Sequence, residues 1–387
     1  MRTAVLGAVF VVLGLVAAVT GVLPWHDVGA LVERVAPVLG FVVALTIVAE
    51  LSAEAGLFSW LAGAAARLAR GRTWLLWLLV VVLALACTVT LSLDTTAVLL
   101  TPVVVLVARR AGVPPLPFAL TTVWLANCGS MLLPVSNLTN LLALHELGDP
   151  SPVAFAALVL PAAVVAAVVP VAAVGLRYRR QLAGRFTAAP GEPVGDRVLF
   201  AWSAVVVALL VPALVAGLEA WVPTTVAAVL LVAVTAVRRP RSLRPSTVPW
   251  GTLLFAGGLF LVVEAAHALG LADLLATVVG GSGEGLPELL RLAGGSAVAA
   301  NVANNLPAYL ALEPVAGSPL RLVAVLVGVN VGCLVTPWAS LATLLWHARL
   351  TAMDVHVAWG RFALAGLGVA VVAVPLAVVA VALVGGP

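Results

Sequence analysis

Apolar runs about twenty residues long recur along the whole of this sequence. They lie near residues 4–23, 35–52, 115–145, 153–176, 198–217, 221–237, 250–267, 320–346 and 357–384. Only 9% of the 387 residues are charged and 63% are hydrophobic, whereas soluble domains carry about 25% charged residues. Because a helix of about 20 apolar residues crosses a bilayer, the sequence predicts an all-α integral membrane protein with about nine to ten transmembrane helices.

Two further apolar segments, residues 73–108 and 286–316, are interrupted by polar residues. The first contains Asp94-Thr95-Thr96, and the second contains a polar cluster from Asn301 to Asn305. Backbone that is not helical is tolerated at membrane depth only where it is buried in protein or lines a cavity. We therefore expect two re-entrant hairpins, each of which enters the membrane, turns at a polar tip and returns to the same side.

The arginines support this topology. All 20 basic residues are Arg, and a cytoplasmic N-terminus with two hairpins puts all but Arg34, Arg291 and Arg321 on the cytoplasmic side. Cytoplasmic loops of membrane proteins are enriched in Lys and Arg. The sequence therefore predicts a retained N-terminal span, a cytoplasmic N-terminus and a location in the bacterial plasma membrane. The basic segment 181–197 is expected to be a cytoplasmic linker.

The two parts of the chain on either side of this linker resemble each other. The stretch AELSAEAGL (49–57) aligns with VEAAHALGL (263–271), and NCGSMLLPVSNLTNLL (127–142) aligns with NVGCLVTPWASLATLL (330–345). The expected topology runs the two parts in opposite directions through the membrane. Inverted repeats with paired interrupted helices are typical of secondary transporters. Residues 1–180 would form the first repeat with the N-terminal span, and residues 198–387 the second.

Each aligned stretch contains residues that break a helix. Gly129 and Pro134 in the first stretch match Gly332 and Pro337 in the second. A broken helix exposes backbone N–H and C=O groups, and short polar side chains add neutral donors and acceptors. We expect the breaks and the hairpin tips to form a polar chamber that binds substrate or ion. The candidate binding residues are Thr95, Thr96, Asn127, Ser136, Asn137, Thr139, Asn140, Asn304, Asn305, Asn330, Thr336, Ser340 and Thr343.

These side chains have an alternative interpretation, in which they only hydrogen-bond neighbouring helices together. Asp94 is the candidate for proton coupling, because a carboxylate at membrane depth is costly and burial favours its protonated form. Its negative charge argues against a dicarboxylate substrate. The alternative is that Asp94 only caps the hairpin helix. Glu50 and Glu264, which are equivalent in the repeat, are weaker candidates.

The composition excludes several other kinds of site. The three Cys residues have no metal-ligand spacing and lie in apolar surroundings, so we expect neither a metal site nor disulfides. Cys128 and Cys333 lie inside the breaks, where a thiol either contacts a thiophilic substrate or fills apolar space. No nucleotide-binding or catalytic constellation is present, so we expect no cofactor, no enzyme activity and no nucleic-acid partner.

Four stretches resemble a known group of proteins. LDTTAVLLTPVVV (93–105), PVSNLTNLLA (134–143), NNLPAYL (304–310) and TPWASLATLLWHARL (336–350) are similar to the arsenical pump membrane proteins of the ion transporter superfamily. That superfamily also holds sodium-coupled dicarboxylate and citrate carriers. The Asn-Asp pair of the family falls on Leu93-Asp94, so the Asn is missing and the Asp is kept. The carboxylate carriers have Ser-Asn-Thr where this chain has Leu93-Asp94-Thr95, which weakens a sodium or dicarboxylate assignment.

The resemblance implies a homodimer that exports arsenite or antimonite in exchange for protons by elevator-type alternating access. The expected partners are thus a small inorganic substrate, H⁺ or Na⁺ as coupling ion, and membrane lipid. A sodium- or proton-coupled permease for dicarboxylate, citrate or another anion is one alternative, and a sodium/proton antiporter is another. The sequence leaves open whether a soluble ATPase partner assists.

Overall fold

The computed structural model describes residues 2–187, 195–216, 218–279, 281 and 283–384. This part of the chain is helical, and its one strand-like pairing is an isolated bridge between Arg72 and Arg185. The α-helices are α1 (Arg2–Val19), α2 (Trp25–Glu54), α3 (Leu57–Leu68), α4 (Thr73–Leu91), α5 (Leu93–Thr95), α6 (Thr101–Arg110), α7 (Leu116–Cys128), α8 (Leu138–Glu146), α9 (Pro152–Arg177), α10 (Arg179–Leu182), α11 (Arg197–Val215), α12 (Trp221–Arg238), α13 (Trp250–Ala268), α14 (Leu271–Val279), α15 (Leu286–Ala303), α16 (Asn305–Ala316), α17 (Pro319–Val331), α18 (Leu341–Thr351) and α19 (Trp359–Val384).

The expected all-α membrane class is confirmed. Among the described residues, seven helices are long and apolar enough to cross a membrane, namely α2, α4, α9, α11, α12, α13 and α19. Six of these helices, together with α1 and the broken pairs α7–α8 and α17–α18, correspond to the nine apolar runs of the sequence. The seventh, α4, lies in the segment 73–108 that was expected to form the first hairpin. Of the predicted linker 181–197, residues 188–194 lie outside the described residues, as do residues 385–387 of the second repeat.

The first long span begins ten residues earlier than the sequence indicates. The apolar run starts at residue 35 because Asp27, Glu33 and Arg34 interrupt it, yet α2 is one continuous helix from Trp25. The charges are accommodated because Glu33 faces solvent and Arg34 has a carboxylate partner on α16. The sequence around Arg34 does not indicate this partner, because Glu313 lies 279 residues away.

Two short helices, α3 and α14, follow the long helices α2 and α13. Each begins directly after a glycine with left-handed backbone, Gly56 at φ 88° and Gly270 at φ 90°. Glycine adopts this conformation without the steric cost that a Cβ brings. The two glycines are aligned positions of the proposed repeat, so the same turn occurs at both.

The helices pack in two groups. One group contains the unbroken helices α1, α2, α11, α12 and α13, in which α1 lies along α13 and α2 lies against α12. The other group contains α4–α9 and α15–α19, in which α9 packs against α19 and α15 against α17. We call these the unbroken-helix group and the broken-helix group. They meet mainly where α2 and α13 approach the hairpins and α8.

The linker rejoins the helices at the start of α11. Asp196 caps this helix, because its Oδ1 accepts hydrogen bonds from the backbone N–H groups of Val198 and Leu199 at 3.0 and 3.1 Å. The side chain of Arg238 on α12 donates to the same carboxylate at 3.1 Å. The Arg238 hydrogen bond and the backbone donors together hold the pKa of Asp196 below its usual range. The contact fixes α11 against α12.

One close approach within the broken-helix group can be tested directly. A Cβ on Gly366 in α19 would overlap the backbone carbonyl of Leu334, whereas a Cβ on Gly368 would meet nothing. We expect Gly366→Ala to lower stability by about 1–3 kcal/mol because the backbone must shift. Thermal unfolding in detergent measures the effect, and Gly368→Ala is the matched control. Equal melting temperatures for the two variants would contradict this packing.

Candidate functional site

The two interrupted segments turn through the same backbone conformation. Helix α4 stops at Ser92, which has φ 99° and ψ 161°, and α15 stops at Asn304, which has φ 106° and ψ 154°. Residues other than glycine rarely adopt such angles. Each side chain caps the helix that follows: Ser92 Oγ accepts from Thr95 N at 3.4 Å, and Asn304 Oδ1 accepts from Leu306 N at 3.3 Å.

The first turn lies before the position expected from the sequence. Asp94-Thr95-Thr96 was the predicted tip, but the backbone turns at Ser92, which was not among the predicted site residues. Asp94 instead occupies the first turn after the tip. The sequence does contain a signal for a turn at Ser92, because its hydroxyl can cap the helix that follows. Asp94, which carries a charge, is the stronger polar signal in the same segment. The matched turns pair Ser92 with Asn304.

The two broken helices also match in their backbone. Leu133 and Thr336, the residues before Pro134 and Pro337, are both extended, and so are Asn137 and Ser340 before the helix resumes. The residue before a proline is disfavoured in helical conformation. The prolines therefore account for the breaks.

The two glycines predicted to break the helices, Gly129 and Gly332, do not contribute to the breaks in the way that the prolines do. Gly129 and Gly332 keep helical backbone at φ −73° and −76°. Neither glycine opens the helix through an unusual conformation. Gly332 instead permits close packing, because a Cβ there would overlap Ala297 on α15.

A buried amide cluster joins the two breaks. Asn330 Oδ1 accepts hydrogen bonds from Asn137 Nδ2 at 2.9 Å and from Thr139 Oγ1 at 3.2 Å. Asn330 Nδ2 donates to Asn140 Oδ1 at 3.3 Å. Asn140 in turn donates to the backbone carbonyls of Ser130 and Leu133. One side chain of the second break thus holds three side chains of the first.

The equivalent Asn of the first break makes weaker contacts across the same boundary. Asn127 Nδ2 donates to its own helix at Val123 O, 2.9 Å away, and reaches Thr343 Oγ1 at 3.4 Å. Cys333 Sγ lies 3.6 Å from Asn127 Oδ1, and Ser130 Oγ donates to Asn127 O at 2.7 Å. Asn127 and Asn330 are almost completely buried. Asn127 and Asn330 thus act as the alternative interpretation of the sequence expects, in which polar side chains hydrogen-bond neighbouring helices together.

The breaks are also tied to the hairpins. Ser136 Oγ donates to Val89 O at 2.9 Å, and Thr336 Oγ1 donates to Asn301 O at 2.8 Å. Asn301 Oδ1 accepts from the backbone N–H groups of Val335 and Thr336 at 3.2 and 2.9 Å. Asn301 was part of the polar cluster seen in the sequence but not a predicted binding residue. It satisfies the backbone that the second break exposes.

A cavity of about 210 Å³ lies between the two helix groups. Both hairpin tips and both breaks contribute to its wall, together with α2 and the start of α13. We call this cavity the chamber. Its polar lining consists of Thr46, Glu50, Ser92, Asp94, Thr95, Asn137, Thr252, Asn304, Asn305 and Ser340.

The structure brings six of the predicted polar residues to the chamber wall and places the others behind it. Asp94, Thr95, Asn137, Asn304, Asn305 and Ser340 line the chamber. Thr96 instead accepts a hydrogen bond from Thr88 at 2.9 Å, in the packing behind the tip. The remaining predicted residues, which belong to the amide cluster or tie the breaks to the hairpins, are Asn127, Ser136, Thr139, Asn140, Asn330, Thr336 and Thr343.

The electrostatics of the chamber are acidic. Asp94 and Glu50 both line it, and no Arg or His does so among the described residues. The Asp94 carboxyl makes no hydrogen bond or ion pair with any described residue. Cys128 and Cys333 are fully buried and lie outside the lining. Within the described ranges there is also no group of His, Cys, Asp and Glu suited to a metal ion. The chamber thus offers carboxyl and neutral polar groups.

A second contact joins the helix groups at the opposite end of α2. Arg34 Nη2 donates to Glu313 Oε1 on α16 at 2.7 Å, and Tyr309 OH donates to the same oxygen at 3.0 Å. Glu313 and Tyr309 are buried. Since the chamber lies near the other ends of α2 and α13, this contact closes the interface on the side away from the chamber.

We expect Glu313→Gln to destabilise this contact, because it leaves the Arg34 guanidinium without a carboxylate in a largely buried position. Losing one partner of such a pair costs about 1–3 kcal/mol. The melting temperature in detergent should fall by a few degrees. Glu33→Gln removes a neighbouring exposed carboxylate of α2 and is the control. An unchanged melting temperature for Glu313→Gln would mean that the pair contributes nothing to the closed interface.

The sequence is similar to a known family of transporters and to several of their relatives. Its residues 2–319 match the family described as citrate transporter, CitMHS. The chain belongs to the CitMHS family. It is thus a multi-pass membrane transporter, and the membership agrees with the resemblance to the wider transporter superfamily read from the sequence.

Several relatives resemble the chain over most of its length. An arsenical pump membrane protein of Escherichia coli (strain K12) is 27% identical over 94% of this chain and 89% of its own. A putative arsenical pump membrane protein of Bacillus subtilis (strain 168) is 24% identical over 87% of this chain and 85% of its own. An uncharacterized transporter of Mycobacterium tuberculosis is 27% identical over 79% of this chain and 72% of its own.

A solved structure has a similar fold. It is the YdaH transporter of Alcanivorax borkumensis, whose crystal structure is described as having an unusual topology. The TM-score is 0.58 at 15% sequence identity, over 99% of this chain and 98% of that one. This likeness supports the overall arrangement of helices in the CitMHS chain.

Proposed function

We propose that this transporter exports arsenite or antimonite across the bacterial plasma membrane in exchange for protons. The observation that carries the proposal is the chamber wall, which combines two carboxyl groups with neutral hydroxyl and amide groups and has no cationic side chain among the described residues. Neutral As(OH)₃ can donate and accept hydrogen bonds with such a wall. Relatives named as arsenical pump membrane proteins favour the same substrate class.

Asp94 would exchange the proton in this mechanism. Its carboxyl faces the chamber and has no partner among the described residues, so it is free to bind a proton or a substrate hydroxyl. Asn137, Asn304, Asn305 and Ser340 would orient the substrate. The other members of the buried amide cluster, Thr139, Asn140 and Asn330, would hold the two breaks in place rather than touch substrate.

Alternating access would come from movement of the broken-helix group against the unbroken-helix group. The chamber lies at one end of their interface and the Arg34–Glu313 pair at the other. A movement that closes the chamber and opens the other end would have to break this pair. The hairpins would be re-entrant and the two repeats inverted, as the matched turns at Ser92 and Asn304 and the matched breaks support. A cytoplasmic N-terminus and a homodimer belong to the same proposal.

Citrate transport is the second candidate, because the matching family is described as citrate transporter. A citrate trianion needs positive charge or many donors in its site. The chamber presents Asp94 and Glu50 instead, which would repel it. The chamber chemistry therefore favours arsenite.

The proposal is tested by expressing the chain in a bacterial strain that lacks its own arsenite exporter. We expect growth at arsenite concentrations that inhibit the parent strain, together with lower cellular arsenic. Unchanged sensitivity with verified membrane expression, combined with citrate uptake by the same cells, would instead support the citrate assignment.

A further inference from the structure

A second and larger opening lies in the broken-helix group, and its lining shares no residue with that of the chamber. It is a groove of about 1000 Å³ between α9 and α19, with α7 at its base. The ends that meet are the C-terminal half of α9 and the N-terminal half of α19, so these two helices are antiparallel. Apolar residues of both walls, including Val168, Leu364 and Val372, are largely exposed.

The groove is apolar along its length and cationic at one end. The cationic end holds Arg177 and Arg361, with Tyr178, Gln181 and His356 beside them. Arg177 lies 5.4 Å from the centre of the Tyr178 ring. No Asp or Glu lines the groove, and neither arginine forms an ion pair with a described residue. Two exposed guanidinium groups therefore face an apolar groove without a carboxylate partner.

The length of the groove matches half a bilayer. Val168 to Arg177 on α9 and Arg361 to Val372 on α19 each extend about 15 Å at the rise of a helix. A hydrocarbon core of about 30 Å gives each leaflet the same depth. The arginines mark the end that the distribution of Arg assigns to the cytoplasm, where the leaflet carries anionic lipid.

We propose that this groove is a binding site for one anionic phospholipid of the cytoplasmic leaflet. The phosphate would contact Arg177 and Arg361, and an acyl chain would lie between α9 and α19 over Leu120 and Gly368. A soluble anion would use the arginines but not the apolar walls. A second copy of the chain is the other candidate occupant of the apolar walls, and the Gly368→Leu variant below distinguishes it from the lipid. The positive charge at one end of the groove and its length of about half a bilayer both match an anionic phospholipid.

The test uses the purified full-length protein and native mass spectrometry with phosphatidylglycerol, phosphatidylcholine or inorganic phosphate added separately. We expect retention of phosphatidylglycerol over phosphatidylcholine and no retention of inorganic phosphate. Arg177→Gln with Arg361→Gln should abolish this preference. Gly368→Leu should reduce lipid retention with both arginines intact, because a side chain at Gly368 enters open space.

Arg241→Gln with Arg244→Gln is the matched control, since it removes two positive charges from the loop before α13. The control should retain phosphatidylglycerol like the unmodified chain, and melting temperatures should confirm that each variant is folded. Equal retention of both lipids, equal loss in the control pair, or retention of inorganic phosphate alone would overturn the proposal. So would a Gly368→Leu variant that dissociates an oligomer while its lipid retention is unchanged.

Discussion

Replacing Asp94 by Asn is expected to abolish proton-coupled transport while leaving the protein folded. The substitution keeps the size and the polarity of the side chain but removes its capacity to exchange a proton. Because the carboxyl has no hydrogen-bond or ion-pair partner among the described residues, little folding energy depends on it. Substrate flux driven by a pH gradient should fall to the level of vesicles without the protein. The melting temperature should stay close to that of the unmodified chain.

Two further variants sharpen this result. Asp273→Asn makes the same chemical change at an exposed site in the first turn of α14, and flux should be retained. Glu50→Gln neutralises the other carboxyl of the chamber and should reduce flux less than Asp94→Asn. Complete loss in Glu50→Gln with activity kept in Asp94→Asn would reassign proton exchange to Glu50.

Replacing Asn330 by Ala is expected to cause the largest loss of stability. Asn330 is fully buried and makes three side-chain hydrogen bonds, with Asn137, Thr139 and Asn140 of the other break. Removing it leaves buried polar partners unsatisfied, each at a cost of about 1–3 kcal/mol. We expect a total loss of about 3–5 kcal/mol, because the partners can compensate in part. Thermal unfolding in detergent, together with the yield of folded protein, measures this loss.

The size of the effect distinguishes a structural cluster from a binding site. Thr343→Ala removes a longer contact of 3.4 Å with Asn127 and should cost less. Thr90→Ala removes an exposed hydroxyl that bonds only its own helix and should cost little. A folded and equally stable Asn330→Ala variant that has lost substrate binding would contradict the structural role.

The breaks were predictable from the sequence because their cause is local. A proline restricts the residue before it, so Pro134 and Pro337 favour extended backbone at Leu133 and Thr336 inside the breaks, wherever the helices pack. The similarity between the two parts of the chain has a local cause as well, since Gly56 and Gly270 both adopt a left-handed turn that glycine allows. Apolar run length likewise predicted most of the long helices.

The sequence did not predict which polar residues line the chamber and which hydrogen-bond the two breaks together. Asn137 and Asn140 are three residues apart and both hydrogen-bond Asn330, yet only Asn137 also lines the chamber. Which of them meets the chamber depends on how α17 packs against the first break, through a contact with Asn330 some 190 residues away. The Arg34–Glu313 pair likewise joins residues that are far apart in the chain. Local sequence patterns do not indicate which distant residues will be partners.

The most direct test of the central claim is arsenite flux into proteoliposomes that contain the purified chain. The lumen is made acidic relative to the outside, and arsenic inside the vesicles is measured by elemental mass spectrometry. We expect accumulation that requires the pH gradient, stops when the gradient is dissipated, does not need sodium and is unaffected by excess citrate. Sodium-dependent citrate uptake without arsenite flux, in vesicles shown to hold folded protein, would contradict it.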